Sequence, residues 1–152
     1  MKDLRDPKEM NECIFCQIVS RKNKGALICY EDPEVLAIHD KYPLRLGHVV
    51  VISKKHSDKL TKLSAEEACF LGKSILLLSK AIEKATGCDN ILIASFGGKV
   101  HHTHFHLIPF SEQDSDLKQR VDLMFLKRPQ IPNKAIREAA ERIISQLAEG
   151  RT

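Results

Sequence analysis

One short stretch, residues 100–110, constrains the fold and the chemistry of this chain more than any other. It holds four of the seven histidines, and the last three of them alternate with Thr and Phe before Leu107. Because successive side chains of a β-strand point to opposite faces, a strand here places His102, His104 and His106 in a row on one face. Imidazole is the side chain whose pKa lies nearest neutrality, and it serves as a nucleophile, a base or a metal ligand. Pro109 lacks a backbone donor and fits the end of such a strand.

Closely spaced histidines also occur in metal-affinity tags. Tags are contiguous and terminal, whereas these histidines alternate with other residues inside the chain. The alternation therefore favours a functional row over a tag.

The overall composition is typical of one globular domain. A chain of 152 residues is long enough to bury a core without disulfide staples. The net charge of +4 is mild and its basic residues are spread out, which disfavours nucleic-acid binding. No apolar run reaches the ~18–20 residues of a membrane span, and the N-terminus lacks the hydrophobic centre of a signal peptide. With five cysteines, an odd number, we expect a cytoplasmic protein with reduced thiols.

The succession of strand and helix patterns predicts an α+β fold. A capping box at Ser64 and Glu67 begins a long helix whose apolar residues recur every three or four positions, and Gly87 is placed to cap its end. The strands at 35–39 and 48–53 are expected to pair antiparallel. In order, the predicted elements are a short helix at 14–19, strands at 27–30, 35–39 and 48–53, the long helix, and strands at 91–94 and 100–110.

The C-terminal part has its own pattern. Residues 111–132 are polar and interrupted by proline, which predicts a loop with a short helix at the apolar patch 123–126. From about Asn133 onward, helical spacing predicts an amphipathic helix that buries its apolar stripe against the domain or a partner subunit. The stripe consists of Ile136, Ala140, Ile143, Ile144 and Leu147. We therefore divide the chain into a flexible N-terminus at 1–12, a domain at 13–110 and a C-terminal extension with a helix at 111–152.

Two of the cysteines are separated by two residues. The spacing of Cys13 and Cys16 lets both thiolates reach one zinc ion, although a single pair is a weak signal and a free thiol pair is the alternative. The other three cysteines, Cys29, Cys69 and Cys88, are typical of small apolar fillers.

Together these features resemble the histidine triad (HIT) family of nucleotide-binding hydrolases and transferases. The family signature is His-x-His-x-His followed by two apolar residues, and here it reads His102-Thr103-His104-Phe105-His106-Leu107-Ile108. Three earlier blocks, at 13–18, 30–40 and 46–56, are similar to the family in the same order, with Ser53 where the family usually has Pro. The resemblance implies a HIT-like fold, a five-stranded antiparallel sheet with a long covering helix, commonly paired into a homodimer. The extra C-terminal helix lies outside the part of the chain that resembles the family.

The resemblance also implies a reaction, an attack on the α-phosphorus of a nucleotide to form a nucleotidyl-histidine that water hydrolyses. By this match His104 is the nucleophile, His106 hydrogen-bonds a phosphate oxygen or the leaving group, and His48 adds a further contact. Nucleoside phosphoramidates are the expected substrates. Cleavage of dinucleoside polyphosphates or nucleotidyl transfer is one alternative, and a nucleotide-binding protein with little turnover is another.

The loop before the triad departs from the family pattern and keeps the last alternative open. The loop at residues 94–99 is shorter than the loop expected from the family. Gly98 and Lys99 stand where the family usually has Gln and Ser. Lys99 either replaces those side chains as a charge that binds phosphate or is an ordinary solvated residue.

For the nucleoside, the resemblance implies an apolar base cleft and a carboxylate for the ribose. Asp40 would accept from the ribose hydroxyls. A slot lined by Ile and Phe favours a purine over a pyrimidine, without separating adenine from guanine. Ordinary core packing is the alternative for the isoleucines. The cleft residues are Ile14, Phe15, Ile18, Ile38 and His39.

A zinc-containing branch of the family joins two N-terminal cysteines to two histidines. The matching residues here are Cys13, Cys16, His56 and His102. Two thiolates and two imidazoles suit zinc. Because four protein ligands leave no open position for water, the resemblance implies a structural zinc that ties the N-terminal segment to the strand of the nucleophile.

Overall fold

The computed structural model describes residues 12–96, 100–111 and 128–149. Within these ranges, five strands form one antiparallel sheet in the order β1-β2-β3-β5-β4. The strands are β1 (Leu27–Glu31), β2 (Val35–His39), β3 (Val49–Ser53), β4 (Asn90–Ala94) and β5 (His104–Phe110). The helices are α1 (Ile14–Val19), α2 (Ala65–Thr86) and α3 (Asn133–Glu149), with a short 3-10 helix at Leu60–Lys62. The predicted α+β fold, with its long helix and C-terminal helix, is confirmed.

The centre of the sheet is built from β-branched residues. Strands β2 and β3 pair antiparallel, as predicted, from Val35 opposite Ser53 to His39 opposite Val49. Both strands are buried along their whole length because helices or a second apolar cluster cover each face. Such residues fit a pleated surface that is covered on both sides.

Strand β5 is shorter than predicted, since it begins at His104 and not at residue 100. The amide of Thr103 donates to the carbonyl of Ser57 at 2.5 Å, and the amide of His102 donates to the carbonyl of Val100 at 2.9 Å. These two amides are therefore used outside the sheet. The first histidine of the row lies just before the strand.

Helix α2 has the termini that its sequence predicts. The Ser64 hydroxyl accepts from the Glu67 amide at 3.1 Å, and the Glu67 carboxylate accepts from the Ser64 amide at 2.7 Å, which completes the capping box. Gly87 ends the helix in the left-handed conformation, with φ of 69°, and its amide donates to the Glu83 carbonyl at 2.8 Å.

Two apolar clusters lie on opposite faces of the sheet. Helices α2 and α3 cover the first cluster, and α1 packs on the second through Ile18. Because residues opposite each other in a ladder share a face, His104 opposite Ile52 and His106 opposite Val50 lie on the second face. The first cluster contains Cys29, Tyr30, Val35, Ala37, Val49, Val51, Leu71, Leu78, Ala81, Ile82, Leu107, Ala140 and Ile143. The second contains Ile18, Leu36, Ile38, Val50 and Ile52.

Helix α3 buries most of its predicted stripe against α2 and β1. Ile136, Ala140 and Ile143 are buried and Leu147 packs on the same cluster, but Ile144 is 41% exposed and is not buried against this domain. One residue corresponds to a rotation of about 100° around a helix, so Ile144 falls beside a stripe centred on Ile143.

Some predictions fall on residues outside the described ranges. These are the flexible N-terminus up to residue 11, the short helix at 123–126, and Lys99. Among the residues that are described, none of the helices is both long and apolar enough to cross a membrane.

Candidate active site and metal centre

His104 is held so that one of its ring nitrogens faces outward as an acceptor. Its Nδ1 lies 2.5 Å from the carbonyl oxygen of His102. A carbonyl can only accept, so Nδ1 carries the proton and Nε2 of the neutral ring keeps its lone pair. The Phe15 ring packs against His104 with the ring centroids 4.9 Å apart, and His104 is buried. An imidazole fixed in this tautomer is prepared for nucleophilic attack through Nε2.

A chain of hydrogen bonds sets the tautomers of His48 and His106. The backbone amide of Leu44 donates to Nδ1 of His48 at 3.2 Å, so the proton of the neutral His48 ring is on Nε2. That nitrogen lies 2.9 Å from Nδ1 of His106 and donates to it. The proton of neutral His106 is consequently on Nε2. His106 is thus a donor, whereas His104 is an acceptor.

Burial keeps both of these rings neutral. Burial lowers the pKa of His48 to about 3 and is the largest cause of the lowering of the pKa of His106 to about 4. The nearby His104 lowers the pKa of His106 further. At neutral pH the ligand-free site therefore holds neutral imidazoles, whose charge state an incoming anion would change.

Asp40 lies beside these histidines, immediately after β2. Its Oδ1 accepts from the Tyr42 amide at 2.7 Å and from the Arg128 guanidinium at 3.3 Å. Its Oδ2 lies 3.7 Å from Nε2 of His48 and 3.8 Å from Nδ1 of His106. Burial alone would raise the pKa of the Asp40 carboxyl, but the facing His48 and the Tyr42 amide outweigh burial and lower it. Asp40 is therefore an ionised acceptor beside the reactive histidines.

The four predicted metal ligands come together on the other side of His104. Nδ1 of His102 lies 3.3 Å from Sγ of Cys13, 3.6 Å from Sγ of Cys16 and 3.3 Å from Nδ1 of His56. Sγ of Cys16 lies 3.1 Å from Nδ1 of His56. Tetrahedral zinc with ligand bonds of ~2.0–2.3 Å separates its donor atoms by about 3.3–3.8 Å. These four donor atoms thus have nearly the spacing that one ion requires.

The hydrogen bonds of His102 support the same conclusion. Its Nε2 lies 2.7 Å from the carbonyl oxygen of Ser53 and donates to it, so the lone pair of Nδ1 points into the cluster. Burial lowers the pKa of His102 to about 4 and, together with Cys13, raises the pKa of Cys16 to about 12. A buried thiol of this kind loses its proton when it binds a metal ion. The cluster can hold a metal ion.

Sequence comparison agrees with this geometry. A family model described as the HIT domain matches residues 21–113. The chain belongs to the HIT family. It is 38% identical over 109 residues to the adenylylsulfatase HINT3 of Arabidopsis thaliana, covering 68% of this chain and 55% of that protein. It is 37% identical over 113 residues to the adenosine 5′-monophosphoramidase hnt1 of Schizosaccharomyces pombe, covering 69% and 79%.

A solved structure extends the comparison to the fold of this HIT protein. A zinc-bound histidine triad family protein from Mycobacterium smegmatis superimposes with a TM-score of 0.76 and is 26% identical, covering 93% of this chain and 97% of that one. A HIT-like protein from Bartonella henselae superimposes with a TM-score of 0.73 at 28% identity, covering 90% and 97%.

The residues predicted to surround the base are only partly brought together in this HIT protein. Phe15, Ile18 and Ile38 belong to or pack on the second cluster, next to His104. Ile14 is 38% exposed on α1. His39 lies opposite Val49 in the ladder and so faces the first cluster, away from the histidine row. Adjacent strand residues face opposite ways, so Ile38 and His39 cannot line one cleft.

Two residues at the site of this HIT protein were not predicted. Phe96 packs its ring 5.0 Å from that of His106, and Arg128 reaches Asp40 from the segment that precedes α3. Phe96 lies within the loop that was singled out before the triad, so its position there was a usable signal. Arg128 is separated from Asp40 by 88 residues, and no spacing pattern links the two.

Proposed function

We propose that this HIT protein is a nucleotide-binding hydrolase that acts at the α-phosphorus through a nucleotidyl-histidine, with nucleoside phosphoramidates as its substrates. The hydrogen bond from Nδ1 of His104 to the carbonyl of His102 is the observation that carries the proposal. It leaves Nε2 of His104 as a nucleophile, beside a donor on His106.

In the first step, Nε2 of His104 forms a bond to phosphorus while the bond from phosphorus to the amine nitrogen breaks. The amine leaves with the electron pair and takes the Nε2 proton of His106. His106 must therefore bind an extra proton on Nδ1 in the substrate complex, where the hydrogen bond from His48 is given up. The negative charge of the phosphate favours that proton, and Oδ2 of Asp40, 3.8 Å from Nδ1 of His106, offsets the positive charge. His106 thereby acts as a general acid.

In the second step, water attacks phosphorus and the bond to His104 breaks. Neutral His106 accepts the proton of the water and returns to the charged state. A nucleoside monophosphate is released. The step restores neutral His104, with its Nδ1 proton still held by His102.

Adenylyl sulfates are the second candidate substrates, because one relative is named an adenylylsulfatase. The two classes differ in what they need from His106. Sulfate is a stable anion and leaves without taking up a proton, whereas an amine must take up a proton as it leaves. Dinucleoside polyphosphates and nucleotidyl transfer remain further alternatives within the same chemistry.

We also propose that the metal is zinc, held by Cys13, Cys16, His56 and His102. The donor spacing and the zinc-bound structural relative support it. With four protein ligands it would supply rigidity and no hydroxide. Its role would be to fix His102, whose carbonyl holds His104.

For the nucleoside, we propose that the base lies against Phe15 and Ile38 and that Asp40 takes the ribose. The apolar second cluster beside His104 supports a flat ring there, with a purine preferred for its larger area. We place Ile14 and Ile18 at the edge of this base cleft. Because His39 faces the first cluster, we do not place it against the base.

We further propose a homodimer in the cytoplasm. Strand β4 lies at the edge of the sheet, where Ile93 is 50% exposed, and Leu76 of α2 is 56% exposed. An open strand edge with apolar side chains favours pairing with a second copy. The five free cysteines fit a reducing compartment. We retain residues 13–110 as the proposed HIT domain and 111–152 as an extension.

The test compares adenosine 5′-phosphoramidate with adenylyl sulfate in the parent protein and in His106→Asn. We expect release of adenosine monophosphate from both substrates by the parent. Because the second step is common to both, His106→Asn should slow both turnovers, but rapid mixing should show that release of the first equivalent of the amine falls by at least about a hundredfold and that of sulfate far less. Equal loss in this first release on both substrates would show that His106 does not protonate the amine. Nucleotide binding without turnover on either substrate would contradict the hydrolase and leave a nucleotide-binding protein.

A further inference from the structure

Arg128 occupies a position at the site that the proposed reaction does not use. Its Nη1 donates to Oδ1 of Asp40 at 3.3 Å and also to the carbonyl oxygen of Tyr42. Within the described residues the Arg128 side chain is 47% exposed, so it can contact a ligand. The group has five N–H donors in a rigid fork. Arg128 thus presents donors beside the carboxylate proposed to bind ribose.

The acceptor capacity of Asp40 limits how it can bind a ribose. Each carboxylate oxygen has about two lone-pair sites. On Oδ1 these are taken by the Tyr42 amide and by Arg128. Oδ2 lies beyond hydrogen-bonding distance of the facing nitrogens of His48 and His106. Oδ2 is therefore the oxygen that can accept from a ribose hydroxyl.

A ribose held at Oδ2 of Asp40 would meet two different partners with its neighbouring hydroxyls. One hydroxyl would donate to Oδ2, and the other would lie toward the Arg128 guanidinium, to which it can only offer its oxygen as an acceptor. A hydroxyl that donates cannot be esterified without losing its hydrogen bond. One that accepts can carry a phosphoryl group, which offers more acceptor oxygens and a bidentate fit to arginine.

The charge around this position also suits an anion. The guanidinium of Arg128 offsets the charge of Asp40. Lys41, whose ammonium group lies 5.4 Å from the centre of the Tyr42 ring, belongs to the exposed turn that Arg128 contacts. A phosphate beside Arg128 would meet the arginine and one carboxylate that is already paired.

We propose that Arg128 is a specificity-determining residue that makes this site accept nucleotides carrying a phosphate on one ribose hydroxyl, in addition to the 5′-phosphate. This inference rests on the proposed nucleotide binding. It identifies the ligand class as nucleoside 2′,5′- or 3′,5′-bisphosphates and their 5′-linked derivatives. In dinucleotide-binding folds, an arginine near the ribose accommodates a 2′-phosphate.

Calorimetric titration of the full chain tests the proposed role of Arg128. The ligands are adenosine 5′-monophosphate and its 2′,5′- and 3′,5′-bisphosphate counterparts. At least one bisphosphate should bind as tightly as the monophosphate or more tightly. In Arg128→Ala that bisphosphate should lose about tenfold or more in affinity while the monophosphate changes by less than about threefold. Arg128→Lys should fall between, since it keeps the charge and loses the fork. Arg137→Ala, an exposed arginine on α3, is the matched control and should behave as the parent.

Three results would overturn the inference. Both bisphosphates could bind the parent tenfold or more weakly than the monophosphate, which would show that neither hydroxyl tolerates a phosphate. Arg128→Ala could weaken all three ligands equally, which would indicate a structural role. The same variant could strengthen the monophosphate, which would show that Arg128 blocks the ribose. Absence of monophosphate binding to the parent would instead contradict the proposed function itself.

Discussion

The backbone carbonyl of His102 lies 2.5 Å from Nδ1 of His104, while the side chain of His102 faces Cys13, Cys16 and His56. One residue thus joins the metal cluster to the candidate nucleophile. Its ring is fixed at both nitrogens, by the cluster on Nδ1 and by the Ser53 carbonyl on Nε2. A change in the cluster is therefore expected to alter the orientation of His104 as well as the stability of the fold.

Replacement of the nucleophile should separate chemistry from binding. His104→Ala removes the atom proposed to form the covalent intermediate with phosphorus, so kcat should fall by at least about a thousandfold. Binding of adenosine monophosphate should change far less. The matched control is His101→Ala, since His101 is exposed and adjoins the same row. A His104→Ala protein that keeps most of its turnover would refute the nucleotidyl-histidine.

Removal of one cluster thiol should remove the metal. In protein purified without a polyhistidine tag, elemental analysis should find about one zinc per parent chain, and much less in Cys16→Ala. Cys69→Ala deletes the same thiol from an exposed position on α2 and should keep its zinc. The melting temperature should fall with the loss of zinc. Parent protein from zinc-rich cells with less than roughly a tenth of an ion per chain would contradict the site.

The parts of the site that are local in sequence could be predicted from it. Alternation along a strand places His104 and His106 on one face, and the capping box at Ser64 begins α2 where expected. The same alternation argues against grouping Ile38 with His39, and there the prediction followed the family resemblance and not the physics of the strand. The contact of Arg128 with Asp40 joins two residues that are 88 positions apart, and no local pattern encodes it.

Acid should destabilise the ligand-free protein through its buried histidines. Burial lowers the pKa of folded His106 from 6.5 to about 4, so between these values the unfolded chain binds more protons than the folded one. The free energy of unfolding therefore falls as the pH falls through this window, by up to about 3 kcal/mol for this group. His48 contributes in the same direction, since its pKa is lowered to about 3.

Urea unfolding between pH 7 and pH 4 can measure this slope. His106→Asn removes one of the titrating groups and should reduce the slope of the unfolding free energy against pH by about one proton, whatever its stability at pH 7. His101→Ala serves again as the control, because it deletes an exposed histidine that adjoins the same row. If His106→Asn and the parent lost stability in parallel, the neutral state of buried His106 would be wrong.

The residue before His48 should tolerate no side chain. Gly47 has a φ of 89°, and a Cβ built on it would lie 2.7 Å from Cγ2 of Thr86 and 3.4 Å from Cγ of Pro109. Gly47→Ala therefore combines a left-handed backbone cost of about 1–2 kcal/mol with overpacking of about 1–3 kcal/mol. Gly87→Ala is the matched control, because Gly87 has a φ of 69° and the added Cβ would meet no described atom within 4 Å beyond its chain neighbours and the adjoining helix backbone. It should show the backbone cost alone.

The two glycine variants should also differ in activity. A shift of the backbone at Gly47 moves His48, and with it the hydrogen bond of 2.9 Å that sets the tautomer of His106. Gly47→Ala should thus lower kcat on the phosphoramidate even under conditions where it is fully folded, whereas Gly87→Ala should not. Urea unfolding gives the stability of each variant, and kinetics on the folded fraction give the rate. Equal destabilisation of both variants, with parent rates, would show that the close packing around Gly47 does not position His48.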